Sequence, residues 1–267
     1  MMFKTRLFTT LLLIPIVIFV LFYTSSWVLL TTLILVLTLC AWEWMQLIPI
    51  QSLIAKVVWI AVMVASVAFS IHYFDIWLIV GLLFWLLLAL PAMLTFPQSK
   101  NVWGFPIIVA AVAFLLLPLF AACLVKLYCY HHMHLLLYVL CLVWAADIGA
   151  YMAGKGFGNH KLIPQLSPGK TVEGVLGGLA FVMVVALFAS SCFHPQYILN
   201  WYLIAGIIWF ISIVGDLFIS MLKRRQQIKD TGSLIPGHGG ILDRLDSLIA
   251  ALPFFYYGVY DLLPPGI

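Results

Sequence analysis

Apolar residues run through this chain in blocks long enough to cross a bilayer, separated by short polar breaks. The blocks lie near 7–23, 27–47, 53–71, 76–95, 105–125, 134–153, 171–193, 198–222 and 247–263, and a spanning helix needs roughly 20 such residues. They predict an all-α polytopic membrane protein of about nine transmembrane helices. Periodicity does not orient these helices, because lipid-facing and packed sides are both apolar. The basic residues do. Lys155, Lys161 and Lys170 share one inter-span segment, and Lys223, Arg224, Arg225 and Lys229 share another two spans later. Counting back puts Lys100, Lys56 and the Lys4/Arg6 end on that same side. Asp75, the segment 194–200 and Asp261 fall opposite, with Lys126 as the exception. The positive-inside rule makes the basic side, and the N-terminus, cytoplasmic.

Composition turns this pattern into an exclusion. Of 267 residues, 65% are apolar and 8% charged, against about 45–50% and about 25% in soluble domains. A soluble domain, a disulfide-rich secreted scaffold and a disordered chain are ruled out. A net charge of +4 is too small and dispersed for a nucleic-acid partner. Cys40, Cys123, Cys129, Cys141 and Cys192 form no CxxC pair, so they read as apolar fillers rather than zinc ligands or disulfides. The basic-then-apolar start resembles a signal peptide but lacks a small-residue cleavage site, and reads as a retained first span. His131, His132 and His134, beside Tyr128 and Tyr130, read as interfacial polar residues.

The charge is unevenly placed: 14 of 22 charged residues lie between Asp147 and Asp246. That skew divides the chain into an N-terminal transmembrane scaffold, 1–140, and a functional region, 141–267, with cytoplasmic loops 154–170 and 223–246. Within the second region Asp147 sits in or near a span, where a carboxylate costs about 2.5–3.5 kcal/mol. It serves either a site or a helix–helix hydrogen bond. The stretch Gly154-Lys-Gly-Phe-Gly158, followed by Ser167-Pro-Gly-Lys170-Thr171, is basic and glycine-rich. Such backbone turns N–H groups toward phosphate, and lysine adds charge. A Walker A loop fails, because Pro164 stands where its first glycine is required. What survives is a loop running into a helix that starts near Thr171. Gly174 and Gly178 predict close helix packing. Lys170 is either a phosphate ligand or a solvated loop residue.

The segment Asp216 to Asp246 carries the densest chemistry. At about 100° per residue, Asp216, Ser220, Lys223 and Arg224 share one arc of roughly 100°, with Arg225 opposite as a plain membrane anchor. A loop with Lys229, His238, Gly239 and Gly240 follows, and Asp243, Arg244 and Asp246 open the last helix. Three carboxylates framed by Lys223, Arg224 and Arg244 suit a hard divalent cation carrying phosphates. A salt-bridge network closing two helices is the alternative.

The string from Ser220-Met-Leu-Lys223-Arg224 through Lys229-Asp230-Thr-Gly-Ser-Leu-Ile-Pro236-Gly-His238-Gly239-Gly240-Ile-Leu-Asp243-Arg244-Leu-Asp246 resembles the signature of phosphatidate cytidylyltransferases. Trp144 to Gly174 also resembles that family, with valine rather than the more usual tryptophan at Val172. The resemblance implies transfer of CMP from CTP to phosphatidic acid, giving CDP-diacylglycerol and pyrophosphate at the cytoplasmic interface. It implies Mg2+ with room for a second cation, a lipid bilayer, a homodimer and no nucleic acid. By position it makes Asp216, Asp243 and Asp246 metal-binding and catalytic residues together with Lys223 and Arg224. By the same carry-over Ser220 contacts phosphate, and the charged and glycine-rich pattern adds Lys170, Thr171, Lys155, Asp147, Lys229, His238, Gly239, Gly240 and Arg244 as substrate-binding candidates. The compact size points to a bacterial inner membrane. A transferase acting on another membrane lipid and a membrane transporter are the competing functions.

Overall fold

The computed structural model describes residues 15–48, 50, 52–96, 98, 103, 105–129, 133–234 and 239–262. Residues 15–23 are helical. After them come α1 (Ser26–Trp44), α2 (Leu53–His72), α3 (Phe74–Leu94), α4 (Pro106–Cys129) and α5 (Met133–Phe157). A short antiparallel hairpin, β1 (Lys161–Ile163) and β2 (Ser167–Thr171), leads into α6 (Val172–Phe193). Then come α7 (Ile198–Arg225) and α8 (Leu242–Tyr257), which ends in a π turn, Gly258–Leu262. Seven of these helices, α1 to α7, are long and apolar enough to cross a membrane. The architecture is the nearly all-helical membrane bundle expected. Lys4, Arg6, Lys100, His131 and His132 lie outside the described residues.

Two local features depart from the expectation. The glycine-rich stretch after α5 is not simply loop: α5 continues to Phe157 and carries Lys155 in its last turn. The remainder forms the hairpin, with Lys161 opposite Thr171 and Ile163 opposite Ser167. Within α3, residues Trp85–Ala89 form a π turn. Pro91 has no N–H to offer the Leu87 carbonyl, and the preceding Leu90 N–H reaches back five residues to Trp85.

Between helices the apolar effect offers little, since lipid is as apolar as leucine. Packing of small residues and interhelical hydrogen bonds take over. Buried indoles supply several of those bonds: Trp44 donates to the Val109 carbonyl (3.1 Å), Trp59 to Ala41 (3.0 Å) and Trp201 to Ala186 (3.0 Å). Helices α5 and α6 touch along glycines. A Cβ on Gly149 would fall 2.6 Å from the Gly177 carbonyl, and one on Gly174 or Gly178 would fall 2.8 Å from the carbonyls of Ala150 and Ala146.

The same device sets α7 against α8. A Cβ on Gly215 would lie 2.6 Å from the Asp246 carbonyl and 2.7 Å from the Ala250 side chain, so this glycine fixes how near Asp216 comes to α8. Gly215→Val must therefore push the two helices apart. A loss of about 1–3 kcal/mol is expected for such overpacking, read as a lowered thermal midpoint of the detergent-purified protein. An unchanged midpoint would show that the contact is not limiting.

Candidate functional site

The C-terminal ends of α5 and α7 and the N-terminal ends of α6 and α8 meet at one end of the bundle. The hairpin is anchored there at its own base. Thr171 caps α6, its Oγ1 accepting the Gly174 N–H at 3.1 Å. The Glu173 carboxylate takes the His160 backbone N–H (3.1 and 3.2 Å) and lies 2.6 Å from Nδ1 of its ring. From α7, Arg224 Nε–H donates to the Leu166 carbonyl at 3.3 Å. Held at both places, β2 delivers Lys170 to α7, where its Nζ stands 2.6 Å from Asp216 Oδ2. Ser220, one turn on, donates to Asp216 Oδ1 at 3.2 Å.

A second lysine–aspartate pair lies behind the first. Lys223 Nζ is 2.7 Å from Asp243 Oδ1, and their side chains are only 10% and 3% exposed. Asp243 Oδ2 accepts the N–H groups of Thr231 (2.8 Å) and Gly240 (3.0 Å), pinning both ends of the loop before α8. Gly239 adopts φ +84°, a left-handed conformation that favours glycine. Arg224 also donates to the Ile228 carbonyl at 3.3 Å. Asp246, one turn into α8, is buried and accepts the N–H of Ser247 at 2.7 Å.

Three carboxylates from three helices, Asp147, Asp216 and Asp246, lie within electrostatic reach of one another, with Lys170, Lys223 and Arg244 as the cations acting on them. Asp147 and Lys170 line a cleft of about 720 Å³, counting its open mouth, between α5, β2, α6 and α7. Its walls pass from these charged groups to Trp209, Ser212 and Ile213, deeper along α7.

Asp147, Asp216, Ser220, Lys170, Lys223, Asp246 and Arg244 are thus brought together as the sequence pattern suggests. Asp243 joins them through Lys223. Thr171 is a helix cap, and Gly240 presents its N–H to Asp243. Lys155 stands over Tyr151, a residue that lines the same cleft, its ammonium 5.8 Å from the ring centre, and Lys229 is exposed in the loop. His238 lies outside the described residues. His134 packs against Phe22, ring centres 5.4 Å apart. Arg225 is no plain anchor: its guanidinium donates to the carbonyls of Trp103 and Leu47. Gln226 adds a third bond, to Leu47 at 2.9 Å.

The sequence pattern also passes over Glu43, on α1, whose carboxylate reaches the same loop before α8. A lone acid inside the predicted span 27–47 is its signal, by the rule that draws attention to Asp147. Trp209 and Ser212 carry no comparable signal, because tryptophan and serine are ordinary inside membrane helices.

This arrangement of an oxygen-rich acidic cluster, mobile-chain cations and a cleft at a bundle end coincides with a family match over nearly the whole chain. Residues 4–261 match the model of the Cytidylyltransferase family, and the chain belongs to that family. Similar proteins include phosphatidate cytidylyltransferase of Pseudomonas aeruginosa, 37% identical over 95% of this chain and 96% of that one. The phosphatidate cytidylyltransferase of Haemophilus influenzae is 41% identical over 70% of this chain and 69% of its own length. A Staphylococcus aureus protein of the same name is 42% identical over 45% of this chain and 47% of its own.

Arg225 gives a direct test of the corrected geometry. Arg225→Ala removes two charge-assisted bonds to backbone carbonyls and should cost about 1–3 kcal/mol of stability. Thermal unfolding in detergent reads this. A midpoint equal to the parent's would restore the surface-anchor reading.

Proposed function

We propose that this protein transfers CMP from CTP to phosphatidic acid, forming CDP-diacylglycerol and pyrophosphate. The observation that carries the reading is the set of paired lysines and aspartates at one end of a membrane bundle, beside a cleft running from charged to apolar walls. One substrate is a lipid and the other a polyanion, and such a cleft can receive both. The bacterial relatives and the basic loops support a place in the bacterial inner membrane, with this end cytoplasmic and about nine spans in all. A homodimer belongs to the same reading through the family resemblance.

In the reaction a phosphatidate oxygen attacks the α-phosphorus of CTP, the bond from that phosphorus to the bridging oxygen breaks, and pyrophosphate leaves with its electron pair. A phosphate monoester is already ionised near neutral pH, so no protein base is required. Placement and charge stabilisation do most of the work. Lys170 and Lys223 are positioned to draw phosphate oxygens to the site, and Ser220 to hold Asp216 in its rotamer. Arg224 keeps the hairpin, and with it Lys170, against α7.

Magnesium fits this donor set. Asp216 and Asp243 each already draw a lysine ammonium to 2.6–2.7 Å, which is the position a cation would take. Among the described residues no three His, Cys, Asp or Glu gather closely enough to hold a metal alone. The ion therefore needs substrate phosphates as well, which is the usual condition for Mg2+. One or two of Asp216, Asp243 and Asp246 would hold it together with the substrate phosphates, and a second cation would draw on the remaining carboxylate. When bound it would offset charge on the phosphates in the transition state.

Purified protein, labelled CTP, phosphatidic acid and Mg2+ should yield lipid-linked CMP and one pyrophosphate per turnover. Absence of both products sinks the reading. Activity with polyprenyl phosphate in place of phosphatidic acid would move it to another lipid acceptor. Asp216→Asn and Asp243→Ala should each lower turnover by about 10²–10³ or more, and excess chelator should stop it. Arg225→Ala should keep most of the turnover of whatever fraction remains folded. Equal losses from Arg225→Ala and Asp243→Ala would remove the assignment of Asp243.

A further inference from the structure

Glu43 is 1% exposed, in the last turn of α1, and nearly 200 residues from the segment it touches. Its carboxylate accepts the N–H of Ile241 at 3.0 Å, the N–H of Leu242 at 2.7 Å and the Thr231 hydroxyl at 3.3 Å. Ile241 is the N-cap of α8 and Leu242 its first residue, and α8 has no capping side chain at its N-cap. A helix start carries unsatisfied N–H groups and a positive dipole end, both of which favour a carboxylate. Glu43 supplies the cap from another helix.

The room for it is built into the loop. A Cβ on Gly232 would fall 2.5 Å from the Glu43 carboxylate, and a Cβ on Gly240 would collide with it. Thr231 and Gly240 meanwhile give their own N–H groups to Asp243. The two carboxylates bond neighbouring groups of the same segments, Glu43 from α1 and Asp243 from α8. Asp243, Arg244 and Asp246 all ride on the turn that Glu43 caps.

We infer that Glu43 is a positioning residue for the reaction, acting through the first turn of α8 to fix the directions of Asp243 and Asp246. The inference rests on the proposed transfer of CMP to a lipid phosphate. It also gives the N-terminal part of the chain a share in the site. Because Lys170, paired with Asp216 on α7, lies outside the capped turn and would still draw CTP phosphates, the defect on losing the cap belongs in kcat more than in KM.

The test is Glu43→Gln, which keeps volume and one acceptor oxygen but turns an N–H donor against the capped amides. Steady-state kinetics are measured on the purified full chain in detergent. Hydrogen–deuterium exchange then follows residues 228–246 and, as an internal reference, α5. The expected result is a fall in kcat of at least thirtyfold, with KM for CTP within threefold, and faster exchange confined to 228–246. Thr231→Val, which removes one bond to Glu43 and leaves the carboxylate in place, should show a smaller loss of three- to tenfold in the same direction.

A kcat within threefold of the parent for Glu43→Gln overturns the inference. So does faster exchange throughout, α5 included, which would make Glu43 a residue of the fold at large. Should Glu43→Gln fail to accumulate, Thr231→Val decides alone: unchanged kcat and unchanged exchange overturn the inference. A parent protein that makes no lipid-linked CMP would strike at the proposed function instead. The exchange comparison would still report whether Glu43 holds this turn.

Discussion

The Lys223–Asp243 pair is the interaction on which the end of the bundle depends. Both groups are withdrawn from water, and either alone would be an uncompensated charge in a poor dielectric. Together they tie α7 to α8. The second oxygen of Asp243 then fixes Thr231 and Gly240, so the intervening loop is closed by the same carboxylate. The Lys170–Asp216 pair repeats the device on the exposed side, joining the hairpin to α7. Lysine is a compact ammonium on a flexible stem, able to exchange a carboxylate for a phosphate without rebuilding its surroundings. In the proposed reaction an arriving polyanion would compete for these ammonium groups, leaving the aspartates to hold a cation.

Arginine does different work at this site. Arg224 and Arg225 spend their planar donors on backbone carbonyls, one on the hairpin and the Ile228 turn, the other on the Leu47 and Trp103 segments. Rigid forks suit such fixed acceptors. The basic run at the end of α7 is thus divided by side-chain chemistry: Lys223 pairs with an acid and the two arginines tie down neighbouring segments.

Much of this was legible from spacing. The helical arc carrying Asp216, Ser220 and Lys223 follows directly from the α-helical period, as does the opposite placement of Arg225. The error lay in what the opposite side faces. It meets the carbonyls of two other inter-helix segments, and no pattern of apolar residues reports where a carbonyl lies. The hairpin escaped notice because strands of three and five residues containing proline and glycine have too short a period to register. Helices α1 to α7 were readable because a bilayer imposes their length, and the end of α5 was not because Gly154 and Gly156 interrupt the apolar run without interrupting the helix.

Glu43 shows the other limit of sequence reading. Its membership in an apolar span flags it as costly, but the groups that offset the cost lie almost the full length of the chain away. Gly232 and Gly240 have a packing reason: the carboxylate from α1 occupies the space their side chains would fill. Thr231, Gly240, Ile241 and Leu242 are held by internal carboxylates without any substrate. That matters for a transfer in which protein contributes mainly by placement, since groups that must be ordered during the reaction raise its barrier. On the proposed reading the first helix of the bundle shares in placing the acids of the last one, because Glu43, inside the segment 1–140, bonds the backbone where α8 begins.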